Sequence, residues 1–342
     1  MRKLLYLLPG IFLATVTYGQ DSKEASSKKS TWNKGVSLSV HVGQGGSRNW
    51  APGAEKFSLW TAASLTAFAN KDSKKCYWDN NIQLNYGFVN THSLGFRKTD
   101  DKIDFTTKPG LHLFGQKLGV ALLVNFRSQF YDGYNYNYLN QGLKRKISSF
   151  MAPGYLHVAP GFDWKPSKSF SVLLAPIAGK FTFVSNKAFS YSFQGGIIPD
   201  EYQTDGSGIY EKPLAVNYGV DPNKEARTEF GTFLSANFQR EILKNVFYRT
   251  KLDLFAGYTK RREFFGPNFS DSRLVDEFHP ERVDVYWTNS ILMKVNRFLS
   301  VSYDFDLVYD DDIRMFGPNG NVAATQFRSM LGVGVGVVAT IK

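Results

Sequence analysis

From Gly35 onward, large apolar residues alternate with small or polar ones, and the alternation recurs almost without interruption to the C-terminus. A period of two is the mark of strands with one apolar face. Twelve strands are predicted, over 35–43, 56–70, 75–89, 101–115, 117–131, 150–164, 169–185, 227–240, 244–259, 281–296, 297–310 and 323–341. In the eleventh, Leu299, Val301, Tyr303, Phe305, Leu307 and Tyr309 share one face, while Ser300, Ser302, Asp304 and Asp306 share the other. The fifth sets Val120, Leu122, Val124 and Phe126 against Ala121, Leu123, Asn125 and Arg127. The ninth sets Val246, Tyr248, Leu252 and Leu254 against Arg249, Lys251 and Asp253. In the twelfth, Leu331, Val333, Val335 and Val337 alternate with Gly332, Gly334 and Gly336, glycines that leave room inside a narrow barrel or let the wall bend.

The connections sort by parity. Short links follow strands two, four, six, eight and ten, and longer ones follow strands one (44–55), three (90–100), five (132–149), seven (186–226), nine (260–280) and eleven (311–322). A soluble sandwich has no reason for such sorting, and its strands run to about 5–6 residues. A transmembrane barrel has short periplasmic turns, longer extracellular loops and an even strand number. The expected fold is therefore an all-β, closed, antiparallel up-and-down transmembrane barrel of about twelve strands. Lipid covers the apolar face, and closure leaves no strand edge in hydrocarbon.

The N-terminus supplies the route to a membrane. "MRKLLYLLPGIFLATVTYGQ" has basic Arg2 and Lys3, an apolar run and small residues before Gln20. It reads as a signal peptide over 1–19; a membrane anchor needs about 20 apolar residues. A flexible linker over 20–34 and a barrel domain over 35–342 follow, and the cell outer membrane is the expected location. The formal net charge is +11, and the leader holds two bases and no acids, so the mature chain carries about 11 − 2 = +9. In an exported chain with scattered charge this suits anionic lipid headgroups rather than nucleic acid. The single Cys76 excludes an internal disulfide or a cysteine zinc cage.

Several stretches resemble a known family: "NWAPGAE" (49–55), "YWDNNIQLNYGFV" (77–89), "GFRKTDDKIDF" (95–105), the run over 150–184, "TEFGTFLSANFQREILKNV" (228–246), "KLDLFAGY" (251–258) and the run over 285–313. They are similar to Bacteroidota cell-envelope proteins of unknown function, a domain-of-unknown-function family predicted as outer-membrane β-barrels. The resemblance implies an envelope location and a barrel, and it implies no activity.

Candidate chemistry is confined to the polar face and the rims. Arg127, Glu229, Arg249, Lys251, Asp253, Lys294, Asp304 and Asp306 are expected to line the lumen. They would form either a salt-bridge network that plugs the interior or a charged constriction that selects solutes. Twelve strands lie between eight, which fill with side chains, and sixteen, which leave a channel. Asp310, Asp311 and Asp312 form an acidic cluster where strand eleven should meet a loop. Neighbouring strand residues face opposite ways, so a calcium site is disfavoured and rim ion pairing is expected; Thr99 to Asp101 are read alike. No metal or other cofactor is expected.

No enzyme is expected either. His92 and His279 fall in loops, His41, His112 and His157 fall in strands without an evident serine partner, and no G-x-S-x-G or H-E-x-x-H motif occurs. The leading expectation is a narrow passive, porin-like channel or a structural envelope component. A binding or assembly role through the long loops is the alternative, and an outer-membrane lipid hydrolase ranks below both. Expected partners are the outer-membrane bilayer, the barrel-insertion machinery, and an envelope protein or glycan. The glycan or protein contact would use the Tyr- and Asn-rich loops over 131–142 and 190–213, which otherwise pack as exposed loops.

Overall fold

The structure is a computed structural model, and it describes residues 32–46, 57–138, 143–185, 195–198, 210–265, 269, 271–275, 283–296, 299–316 and 322–341. The expected signal peptide, most of the linker and the 49–55 stretch lie outside these residues.

Twelve strands close into one antiparallel barrel in chain order. They are β1 (Trp32–Gly46), β2 (Phe57–Asp72), β3 (Cys76–Thr91), β4 (Gly95–Phe114), β5 (Leu118–Ser128) and β6 (Gly154–Ser167). The others are β7 (Phe170–Phe183), β8 (Ala226–Leu243), β9 (Val246–Gly257), β10 (Val283–Lys294), β11 (Leu299–Tyr309) and β12 (Gln326–Ile341). Each predicted strand has its counterpart. The first starts earlier than expected, so residues 32–34 are wall rather than linker. β1 pairs with β12 to close the ring, over Lys34–His41 and Gly334–Ile341.

Alternation decides which side chains face out. On β1, Val36, Leu38, Val40 and Val42 are exposed while His41 is buried, and on β12 Leu331, Val333 and Val335 are 52–65% exposed. An exposed belt of this kind is stable only in hydrocarbon. Aromatics rim it near the short turns, where Trp32 and Trp78 lie 5.8 Å apart between ring centroids and Trp164 meets Phe170. The exposed indole N–H groups find partners on neighbouring strands: Trp78 Nε1 donates to Thr107 Oγ1 (2.7 Å) and Trp287 Nε1 to Thr250 Oγ1 (2.9 Å).

One end carries only short turns, after β2, β4, β6, β8 and β10. Left-handed Gly115 and Asn245 fold two of them. The other end carries the longer connections, with one departure. The expected long link after β3 is a turn over 92–94, because β3 and β4 continue pairing as far as Thr91 and Gly95. Four of the long connections pair with themselves: Gly133–Tyr138 with Leu143–Ser148, Gly196–Ile197 with Tyr210–Glu211, Arg261–Phe265 with Asp271–Val275, and Arg314–Phe316 with Val322–Ala323. The connection after β7 holds a short helix, α1 (Leu214–Asn217).

The interior is not uniformly polar. Tyr77, Ala121, Leu123, Ala159, Leu173, Ala175, Ala178, Phe233 and Phe255 form a buried apolar cluster on the inward faces of β3 and β5–β9. This fills part of the lumen as side chains fill smaller barrels.

Candidate functional site

Inward positions of strands far apart in the ring meet across the lumen. At mid-height Arg127 on β5 pairs with Asp253 on β9 and approaches Asp104 on β4 (3.5 Å). Its guanidinium lies 3.7 Å from the ring centroid of Tyr286 on β10. Asp253 also accepts from Ser235 (2.7 Å) and lies 3.2 Å from Lys251. Asn125 donates to Asp104 (2.7 Å) and Thr106 (2.8 Å). Toward the turn end, Asp163 accepts from Tyr77 (2.6 Å) and Lys108 (2.9 Å), and Lys165 reaches Asp79 (2.6 Å). Arg328 on β12 bridges Asp306 and, four strands away, Asp100.

The densest group sits under the loop end. Lys180 on β7, whose side chain is 3% exposed, lies 2.6 Å from Asp284, 2.8 Å from Asp310, 3.7 Å from Glu229 and 4.0 Å from Asp312. Arg227 joins it, 2.8 Å from both Glu229 and Asp312. Four carboxylates thus share two cations. Burial pushes the Asp312 carboxyl up, but the Arg227 and Lys180 charges outweigh it and hold its pKa at about 2.

At the acidic rim, Asp310 and Asp312 converge. β11 ends at Tyr309, and a turn over 310–313 follows. The turn, held by Asp312 N–H to Asp310 Oδ1 (2.9 Å), brings Asp310 and Asp312 onto the same cations, while Asp311 pairs with Arg314 (2.8 Å). The rule that neighbours diverge holds for strands and fails here because the residues have left the strand. At the other acidic pair, Asp100 meets Arg328, and Asp101 accepts from the Phe130 and Tyr131 N–H groups (2.7 and 2.9 Å) and from Lys98 (2.9 Å).

Among the residues singled out from sequence, Arg127, Lys251 and Asp253 come together at mid-lumen, Glu229 joins the Lys180 group and Asp306 joins Arg328. Arg249 stands apart with Gln239 (3.2 Å), Lys294 lies over the Phe247 ring, and Asp304 sits in register with Ser290 and Met330. Sequence reading passed over Lys180, Arg227, Asp284, Asp104 and Tyr286. Each occupies an inward register position, so strand parity was the available signal.

His41 also has a serine partner after all: Ser302 Oγ lies 3.0 Å from its Nδ1. The two meet because Gly332 and Gly334, on the strand between them, have no side chains where the imidazole lies. The pair faces inward and is buried. Among the described residues no group of three or more His, Cys, Asp or Glu side chains is placed to hold a metal ion.

Above these networks part of the loop end is covered. Ala152, Val184, Leu214, Ala215, Tyr218, Val220 and Ile313 form a second buried apolar cluster, contributed by α1 and the connections around it. Between this cap and the Arg127–Asp253 level lies a chamber of about 530 Å³ lined by Tyr155, His157, Phe233, Phe255, Asn217 and Ile313, among others.

Residues 42–134 match the model of a family described as a protein of unknown function, DUF3078. That span runs from the end of β1 to the first loop hairpin and includes three of the stretches quoted above. No curated protein matches the chain. Among solved structures, an outer membrane channel from Pseudomonas putida F1 is 10% identical, with a TM-score of 0.35, over 94% of this chain and 100% of that one. The translocator domain of the autotransporter NalP from Neisseria meningitidis is 7% identical, with a TM-score of 0.35, over 90% of this chain and 88% of that one. The NanC porin is 9% identical, with a TM-score of 0.31, over 90% and 100%. The barrel rests on its own strand pairing.

Proposed function

We propose that the chain is an exported, non-enzymatic outer-membrane barrel of a Bacteroidota cell envelope, acting as a narrow passive channel whose mouth is held closed. Its turn end faces the periplasm and its loop end the outside. The inward faces of Arg127, Glu229, Arg249, Lys251, Asp253, Lys294, Asp304 and Asp306 line the path, and Asp310 and Asp312 belong to the gate. One observation carries the reading. The lumen is crossed by ion pairs between distant strands and capped by the 213–220 segment, yet a chamber remains between the two. A barrel that served only as a wall could fill that space with side chains.

The loop-binding alternative draws less support. The Tyr134 ring is met by Lys144 (4.0 Å) and the Tyr136 ring by Arg97 (4.4 Å), so these aromatic faces are already in use.

The test is conductance in planar bilayers, after heat-modifiable migration has established the folded barrel. The wild type should conduct in rare, small openings. Leu214→Ala with Tyr218→Ala, which loosens the cap, should raise the open fraction at least tenfold. Silence in both proteins would leave a structural envelope component.

A further inference from the structure

The chamber beneath the cap has polar groups that the ion-pair networks do not use. Its charged members are engaged, Arg127 with Asp253 and Lys180 with Asp284 and Asp310. Three uncharged members are not. The Nδ1 of His157, the hydroxyl of Tyr155 and the side-chain oxygen of Asn217 are buried without a hydrogen-bond partner in the protein, and all three residues line the same space. His157 is 6% exposed, and its ring packs against Phe233 and Phe255, with centroids 5.4 and 6.1 Å away. That packing restrains the ring and keeps Nδ1 from turning to bulk water. A buried donor or acceptor without a partner carries a desolvation penalty that a bound group would remove.

The surroundings of these groups set the class of occupant. Phe233, Phe255, Leu214 and Ile313 present apolar surface. A pocket of a few hundred Å³ with an apolar lining and a few placed polar groups is the usual form of a small-molecule site. An anionic ligand would face Asp253, Asp284 and Asp310, and a cationic one would compete with Lys180 and Arg127 for carboxylates already paired. Hydroxyl groups suit the free atoms best, because a hydroxyl both donates, as the Asn217 oxygen requires, and accepts, as the Tyr155 O–H requires.

We propose that the chamber binds an uncharged, ring-bearing small molecule with hydroxyl groups, of the phenol or alicyclic alcohol class. Its body rests against Phe233 and Phe255, and its polar groups meet His157, Tyr155 and Asn217. Asn217 and Leu214 belong to the cap, while His157 and Tyr155 belong to the wall, so the same ligand would touch both sides of the closure. The physiological sense of this site, the solute admitted, rests on the channel reading; the binding does not require conduction.

The experiment is ¹⁹F NMR of 4-fluorophenol, uncharged at neutral pH, titrated into the refolded full chain in micelles. Empty micelles and 4-fluorobenzenesulfonate serve as controls. A saturable shift with the phenol, absent from empty micelles and from the sulfonate, is expected. Tyr155→Phe, which removes only a hydroxyl, should weaken binding several-fold, and Leu214→Trp, which fills the chamber, should abolish it. Heat-modifiable migration checks both variants, and Tyr155→Phe decides if Leu214→Trp does not fold. A shift equal to that in empty micelles, binding indifferent to Tyr155→Phe, or equal binding of the sulfonate would overturn the site; in the first case water is the occupant. Binding without conductance would refute the channel and leave the site standing, and conductance without binding the reverse.

Discussion

Gly332 and Gly334 offer a quantitative test of how the barrel closes. A methyl group at Gly332 would lie 2.6 Å from the His41 Nδ1, 3.0 Å from its Cγ and 3.2 Å from its Cβ, so its nearest contacts are all with that side chain. A methyl group at Gly334 would press on the His41 imidazole at Cδ2, but also on the Val40 carbonyl oxygen, and would lie 2.8 Å from the His41 Cα, the last two being backbone atoms of the adjoining strand. Burying one methyl gains about 0.8 kcal/mol. Overpacking a close-fitted site costs about 1–3 kcal/mol. Either Gly→Ala change should therefore destabilise the barrel by up to about 2 kcal/mol net. The second substitution separates them. His41→Ala removes the ring and its bond to Ser302, at a cost of about 1 kcal/mol. It should relieve Gly332→Ala, with a coupling of about 1 kcal/mol, and relieve Gly334→Ala less, because the clash with the Val40 carbonyl and the His41 Cα stays. Reversible urea unfolding in thin bilayers, followed by tryptophan emission and heat-modifiable migration, reads all five variants. Additivity at 332, or a larger rescue at 334 than at 332, would refute the placement of His41 over the glycine strand.

Three further outcomes follow from the networks. Lys180→Met leaves Asp284 and Asp310 without their buried cation and should cost about 3–5 kcal/mol, read by the same unfolding assay; a loss under 1 kcal/mol would mean the group is well hydrated. Tyr77→Phe removes the donor to Asp163 and should cost about 1–3 kcal/mol, with no change in cap opening by conductance. Asp312 has a folded pKa of about 2 against an ordinary value of 3.8, so its contribution is complete above pH 4 and drains as pH falls toward 2. Proteolytic nicking of the 310–325 connection should rise over that window, and Asp312→Asn should flatten the rise.

The wall was legible because alternation is local: Ser300 and Ser302 are buried and Tyr303 is exposed, as parity alone requires. Loop-end features were not. The 92–94 turn escaped because "GFRKTDD" carries charges that read as loop, although Gly95 to Asp101 pair with β3. The convergence of Asp310 and Asp312 depends on a turn that strand parity does not see. Lys180 was missed for another reason: its worth lies in partners on β8, β10 and the connection after β11, and only ring closure brings these to it. The partnership of His41 with Ser302 likewise spans a glycine strand and joins the two ends of the chain.

The joint between β1 and β12 has a consequence for the protein's assembly. Among the described residues it is the only wall contact between the barrel's first strand and its last, and its ladder stops at His41 and Gly334, while both strands run on toward the loop end. A ring of strands can be completed no earlier than its final ladder, and it is least costly to breach where the ladder is shortest. The β1–β12 seam is thus expected to zip last as the barrel enters a bilayer and to part first when it is pulled out, with His41 wedged over two glycines at the ladder's end.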